Sequence, residues 1–184
     1  MKKILSLVLV VALLLTATAC GSKKNAPGTI KDDKSLQDVL DAVDAKFNEK
    51  YPGDYGAVPM RMPIDDQYIA DFMELDASAY DEYAGSVAGV MLRSDVLFAV
   101  KAKEGKVEAV QQALEKRLAD ITAQFEFYNV SGSYDRAKAG EVYVKGNYVF
   151  LIIVGDFDPD VEGSAVYDAD VKMTKETIDS MFND

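Results

Sequence analysis

The stretch Val142-Tyr143-Val144-Lys145-Gly146-Asn147-Tyr148-Val149-Phe150-Leu151-Ile152-Ile153-Val154 decides the fold. Gly-Asn between β-branched and aromatic residues marks a tight hairpin turn, so antiparallel strands are predicted on either side of it. The second strand is apolar at every position. A strand with one wet face alternates apolar and polar residues, so a continuous run is expected to be central and covered on both faces.

Upstream, Val107, Val110, Leu114, Leu118, Ile121, Phe125 and Tyr128 step by three or four. This spacing predicts a helix over 106–128, about 33 Å long, whose apolar stripe must pack on the sheet. The loop 130–140 joins it to the hairpin. Ahead of the helix, the apolar runs 87–92 and 96–101 flank Arg93-Ser94-Asp95 and read as strand, tight turn, strand. Gly85 and Gly89 mark entry to the first of these strands.

Further back, Ser35 with Asp38 forms a capping box, followed by Leu36, Val39, Leu40, Val43 and Phe47 at helical spacing; Pro52-Gly53 stop that helix. Val58, Met60 and Met62 alternate, and Pro59 and Pro63 confine any strand there to an edge. Asp65 or Asp66 caps a second short helix carrying Tyr68, Ile69, Phe72 and Met73, and 76–82 is a polar connection. Downstream of the hairpin an acidic loop runs to Asp170, and Ile178, Met181 and Phe182 predict a short last helix over 175–182. The expected class is α+β: a mainly antiparallel sheet of two hairpins, one long helix packed on it, and short N-terminal helices.

The N-terminus carries an address. Met1-Lys2-Lys3, an apolar run to Leu15 and the small residues Thr16-Ala17-Thr18-Ala19 lead to Cys20, the only cysteine. This is the basic, apolar, small-residue layout of a secretory signal peptide over 1–19, too short to span a bilayer permanently. Ala17-Thr18-Ala19-Cys20 resembles a bacterial lipobox, although Leu is commoner where Ala17 stands. Cleavage without lipidation would leave a free thiol with no disulfide partner; lipidation of Cys20 gives it a role, and two or more acyl chains such as palmitate hold stably to a bilayer. Residues 20–34 then form a lipidated cysteine and flexible tether, and 35–184 a single globular domain.

Composition excludes more than it assigns. Without Lys2 and Lys3 the mature chain has 18 Lys+Arg against 31 Asp+Glu, a net charge of −13, which repels nucleic acid. About 150 residues suit one domain and fall short of a two-lobed solute-binding protein. With no histidine, no tryptophan and its cysteine committed, the mature domain lacks His-based triads, thiol nucleophiles, and His- or Cys-ligated metals.

Several local features invite chemistry. Asp156, Asp158, Asp160 and Glu162 alternate along one loop and offer oxygen ligands for Ca²⁺. Val161 and Tyr167 stand where an EF-type loop needs glycine and glutamate, so a solvated acidic loop is the competing reading. Tyr51, Tyr55, Tyr68, Tyr80 and Tyr83 suggest a sugar-stacking surface, but tyrosine sits equally well half-buried beside a sheet. The pairs Asp65/Asp66 and Asp81/Glu82 are expected among 31 acids, and neighbouring acids point apart on a helix. Ser131-Gly132-Ser133 has no base of the usual kind beside it. No residue is assigned a catalytic role.

The lipobox leading into a helix, the strand Val96-Leu97-Phe98-Ala99-Val100-Lys101-Ala102-Lys103, the helix segment Ala113-Leu114-Glu115-Lys116-Arg117-Leu118 and Gly146–Ile153 together resemble the DUF4358 lipoproteins of Firmicutes, over roughly residues 35–160. The resemblance implies a Gram-positive type of host and the outer face of its cytoplasmic membrane. It implies no catalytic residue.

The expectation is a membrane-anchored extracytoplasmic lipoprotein acting as a non-enzymatic module that binds an envelope protein or glycan. The alternative is a carboxylate- or Ser/Lys-dependent hydrolase of envelope polymers. The two separate on geometry: glycosidase chemistry needs two acids about 5–10 Å apart in a pocket, whereas binding needs an accessible apolar patch.

Overall fold

A computed structural model describes residues 28–53, 55–156 and 164–184. In chain order the elements are α1 (Leu36–Lys50), β1 (Arg61–Pro63), α2 (Asp66–Tyr68) running on as a wider helical turn over Ile69–Met73, β2 (Tyr80–Ala88), β3 (Val96–Ala102), α3 (Val107–Phe125), a tight turn at Val130–Gly132, α4 (Ser133–Ala139), β4 (Glu141–Lys145), β5 (Tyr148–Ile153) and α5 (Ala165–Ser180). The strands form one sheet in the order β1-β2-β3-β5-β4, every neighbouring pair antiparallel. The α+β class expected from the two hairpins is the one observed.

The two neighbouring strands β3 and β5 are apolar on both faces, and the alternation of a pleated strand divides their side chains between two cores. Leu97, Ala99, Phe150 and Ile152 point to one side, under Val39, Val43 and Phe47 of α1 and Val171 and Ile178 of α5. Phe98, Val100, Val149 and Leu151 point to the other, under Val110, Leu114 and Ile121 of α3 with Ile69 and Met73. Each such residue, fully withdrawn from water, contributes about 1.5–3 kcal/mol. The sheet is therefore the middle of three layers. One long helix covers one face, as expected; α1 and α5 together cover the other.

Four local expectations are corrected. The first strand of the β2–β3 hairpin is Tyr80–Ala88, not 87–92, with a register shift between Tyr80 and Glu82. Its pairing with β3 comes from the backbone, so its polar residues did not betray it. Residues 89–95 form the connection instead, closed where the Ala88 amide donates to the Asp95 carbonyl (2.9 Å). The segment expected as a loop contains α4. The last helix begins at Ala165 and runs sixteen residues, because its buried stripe, Tyr167, Asp170, Val171, Thr174 and Ile178, includes two polar residues that hide the period. The Ser35–Asp38 capping box and the Asp65 cap are present, and the edge strand forms over Arg61–Pro63, so that of Val58, Met60 and Met62 only Met62 lies in it.

The expected tether is docked before α1 begins. Ile30 bridges to Phe182, the Gly28 amide donates to the Asn183 carbonyl (2.9 Å), and the Asn183 amide donates to that of Thr29 (2.8 Å). Gly28 lies so close to Gly146 that a Cβ on Gly146 would stand 2.0 Å from the Gly28 carbonyl oxygen. The chain thus enters the domain at the β4–β5 hairpin end of the sheet. The β2–β3 connection lies at the other end, since Val96 pairs with Ile153 while Lys101 pairs with Tyr148.

That far end is fastened by buried charge. Asp95, fully buried, accepts from Arg93 Nε (2.9 Å) and Nη2 (2.8 Å). Arg136 of α4, also fully buried, has its Nε 3.4 Å from Asp95 Oδ1 and donates from Nη2 to the carbonyls of Asp156 (2.8 Å) and Ser131 (3.2 Å). The Tyr167 ring lies 4.9 Å from the Arg136 guanidinium. Burial lowers the Arg136 pKa, and Asp95 opposes that shift. On the first core, buried Asp170 of α5 accepts from Lys50 Nζ (2.6 Å) and the Tyr51 hydroxyl (2.8 Å), tying α5 to the end of α1. Burial, reinforced by Asp170, pushes the Tyr51 hydroxyl up to about 12 although Lys50 opposes it.

Two outcomes are expected. Asp95→Asn leaves two buried guanidinium groups without their carboxylate and should cost about 3–5 kcal/mol in urea unfolding at neutral pH; a loss below about 1 kcal/mol contradicts the fastening role. Tyr51 keeps its proton to about 12 when folded but to its ordinary value near 10 when unfolded. Its contribution is fully present below the lower value and is lost as pH rises through the upper one. Tyr51→Phe should therefore lessen the fall in stability across that window, seen as a flatter curve of unfolding free energy against pH; an unchanged slope refutes the assignment.

Candidate functional site

The connection after β2 cannot continue the sheet, and its apolar residues gather at the sheet's far end. There Met62 of β1 and Val87, Val90 and Met91 face Ile121 and Phe125 at the end of α3 across a cavity of about 200 Å³. Pairing of Met62 with Val87 and donation from the Gly89 amide to the Met60 carbonyl (2.9 Å) bring the Met60–Met62 segment to this rim. Met91 is 90% exposed, and Met60, Met62, Leu92 and Phe72 are each about half exposed. The turn after α3 presents Phe127 and Tyr128 at the same end of the fold. Methionine, long and unbranched, moulds to irregular apolar partners.

The polar lining is basic. Arg93, Ser94, Arg117 and Gln124 contribute, and no lining residue is an Asp, Glu or Lys. Arg93 is spent on Asp95. Arg117 donates from Nη2 to the Tyr68 hydroxyl (3.2 Å) and stacks 5.5 Å from the Phe72 ring centre, while its Nε is buried with no hydrogen-bond partner. Of the chain's four arginines, Arg61 pairs with Asp44 and Arg93 and Arg136 pair with Asp95, leaving Arg117 without a carboxylate among the described residues. The acids near its helix are engaged elsewhere: Glu74 and Asp120 with Lys116, and Asp66 with the Tyr83 hydroxyl, which that bond pushes up to about 12.

A second cavity, about 190 Å³, opens under α1 beside β1 and β2 and includes Gln37, Asp44, Arg61 and Ser86. Asp44 is its single acid and is paired with Arg61 while also accepting from the Ala57 amide (2.8 Å). Neither cavity brings two carboxylates together, and neither places a lysine beside a serine.

The residues singled out from sequence disperse. Cys20, Asp158, Asp160 and Glu162 lie outside the described residues, and the Asp156 carbonyl is engaged by Arg136. Among the described residues no group of three or more Asp, Glu, His or Cys is placed to hold a metal ion. Tyr51 packs against the first core, and Tyr68, Tyr80 and Tyr83 against the second, so they form no single stacking platform. Asp65 caps α2, and the Ser133 hydroxyl donates to the Leu92 carbonyl (2.6 Å). Gly132 is closed to any side chain, because a Cβ there would lie 2.1 Å from the Tyr167 hydroxyl. Sequence reasoning missed the groove. Its one signal was the apolar surplus of 87–92, which was assigned to a strand.

A five-stranded antiparallel sheet between two helical layers, with an apolar groove at one end, defines an α+β domain. The family described as a domain of unknown function (DUF4358) matches residues 54–154, and the chain belongs to that family. The match contains all five strands and every lining residue of the groove, while α1 and α5 lie outside it. Comparison with curated proteins found no match, and comparison with solved structures found none.

Proposed function

We propose that this protein is a lipoprotein of the cell envelope whose domain binds a partner through the groove between the β2–β3 connection and α3. The observation that carries the reading is an accessible apolar rim, Met60, Met62, Met91 and Leu92, around a cavity without a carboxylate. Exposed apolar clusters of this kind mark interaction surfaces. Catalysis by paired acids would need a convergence that neither cavity offers.

The location rests on the signal-peptide layout and on Cys20. Acyl chains on Cys20 hold the chain to the outer face of a cytoplasmic membrane, and the domain works beside it. No helix among the described residues is long and apolar enough to cross a membrane, so attachment is assigned to the lipid.

Two measurements test this reading. Cys20→Ser should abolish acyl labelling and membrane retention of the mature protein; labelling that persists sinks the anchor. A photo-crosslinking residue at Met91, in the membrane-tethered full chain, should trap a discrete partner that the same group at Lys172 on α5 does not. Identical adduct patterns from both positions, or none from Met91, would remove the groove from the function.

A further inference from the structure

We infer that the groove is a docking site for a segment of a partner protein that carries an apolar anchor side chain next to a carboxylate. The inference rests on the binding role proposed above and adds the partner's chemistry. Three observations converge on it.

The first is size. At about 200 Å³ the cavity is smaller than the roughly 300–1,000 Å³ of pockets that enclose whole small ligands. It suits one inserted side chain, while the methionine rim supplies flat apolar area around it. Buried anchors surrounded by such contacts carry most of the affinity of a protein interface.

The second is charge. The protein carries a net −11, or −13 after removal of the signal peptide, yet this opening has two arginines and no acid in its lining. Among the described residues Arg117 is the arginine without a carboxylate, its guanidinium steadied by the Phe72 ring and the Tyr68 hydroxyl. A partner carboxylate approaching from the groove supplies the counter-charge that the described residues do not. Planar, multidentate arginine is well suited to receive it. The surrounding negative charge discourages indiscriminate approach by acidic proteins, so the local cation also selects orientation.

The third is position. The chain enters the domain at the β4–β5 hairpin end, where Gly28 meets Gly146, and the groove lies at the opposite end of the strands. β3 has seven residues, about 23 Å of extended chain. With a lipid on Cys20, seven residues lie between the anchor and Gly28, and the eight Cα-to-Cα steps reach at most about 29 Å. The groove therefore opens at the end of the strands opposite to the one where the chain enters, clear of the docked segment at Gly28 and open to a partner.

The test uses the full acylated chain in phospholipid nanodiscs and phage-displayed random twelve-residue peptides. Enriched peptides should carry an apolar residue adjoining Asp or Glu. As synthetic peptides they should bind about tenfold or more weakly to Met91→Asp and to Arg117→Gln, the scale of losing a charge-paired anchor. Changing their acid to Lys should abolish binding to the parent protein and restore it to Arg117→Glu. A thermal melt of each variant identifies any that does not fold, and Met91→Asp, altering a side chain that is 90% exposed, should melt with the parent. Peptides that need Met91 but bind equally well after Arg117→Gln would overturn the acidic-partner inference and leave the groove's binding role standing. Enriched peptides insensitive to Met91→Asp, or enrichment of basic peptides, would also overturn it. Failure of the Met91 crosslinking experiment would instead remove the binding role itself.

Discussion

Two neighbouring strands whose side chains are apolar on both faces impose the architecture. β3 and β5 cannot leave either surface to water, so the sheet must be a middle layer, and helices must be found for both sides. The long amphipathic α3 meets this demand on one side with its own stripe. On the other, α1 alone is short of the area, and α5 completes the cover by bringing Val171 and Ile178 down beside it. The buried Asp170 then makes the pairing of α1 and α5 specific, because its carboxylate finds Lys50 and Tyr51 only in that arrangement. Apolar burial provides the drive, and the shared polar groups choose among ways of satisfying it.

The two ends of the sheet have separate duties. At one, the β4–β5 turn receives the incoming chain through Gly28 and Ile30, which are hydrogen-bonded or bridged to the C-terminal residues 182 and 183. At the other, Asp95 gathers Arg93 and Arg136 beneath the β2–β3 connection. That rigid base lets residues 89–92 project apolar side chains toward solvent without collapsing onto the core. Met91, 90% exposed, stands above this buried ion cluster.

Much of this was legible in the chain. Residues 142–154 read as a hairpin with a doubly covered strand, and that is what they form. The 3.6-residue stripe of α3, the Ser35–Asp38 capping box and the proline-limited edge strand were equally plain, because each depends on residues within a few positions of one another. The boundary of β2 was not. Tyr80–Ala88 is rich in polar and small residues, and its strand character is conferred by backbone pairing to β3. α5 was foreshortened for a related reason: Asp170 and Thr174 belong to its buried face, and only partners distant in sequence, Lys50 and Tyr51 for Asp170, make that burial tolerable.

By itself the sequence determined the class of fold, the absence of histidine and the single cysteine, and an acidic chain, since composition and short-range periodicity need no tertiary contact. Tertiary structure alone decided that Tyr51, Tyr68, Tyr80 and Tyr83 part company between two cores, and that Arg117 pairs with no carboxylate among the described residues. It alone also decided that Met62, Val90, Met91 and Phe125 meet around one opening. Those residues come from β1, the β2–β3 connection and α3. A groove assembled across so many positions of the chain leaves no local pattern, because its chemistry exists only where the folded backbone brings those side chains together.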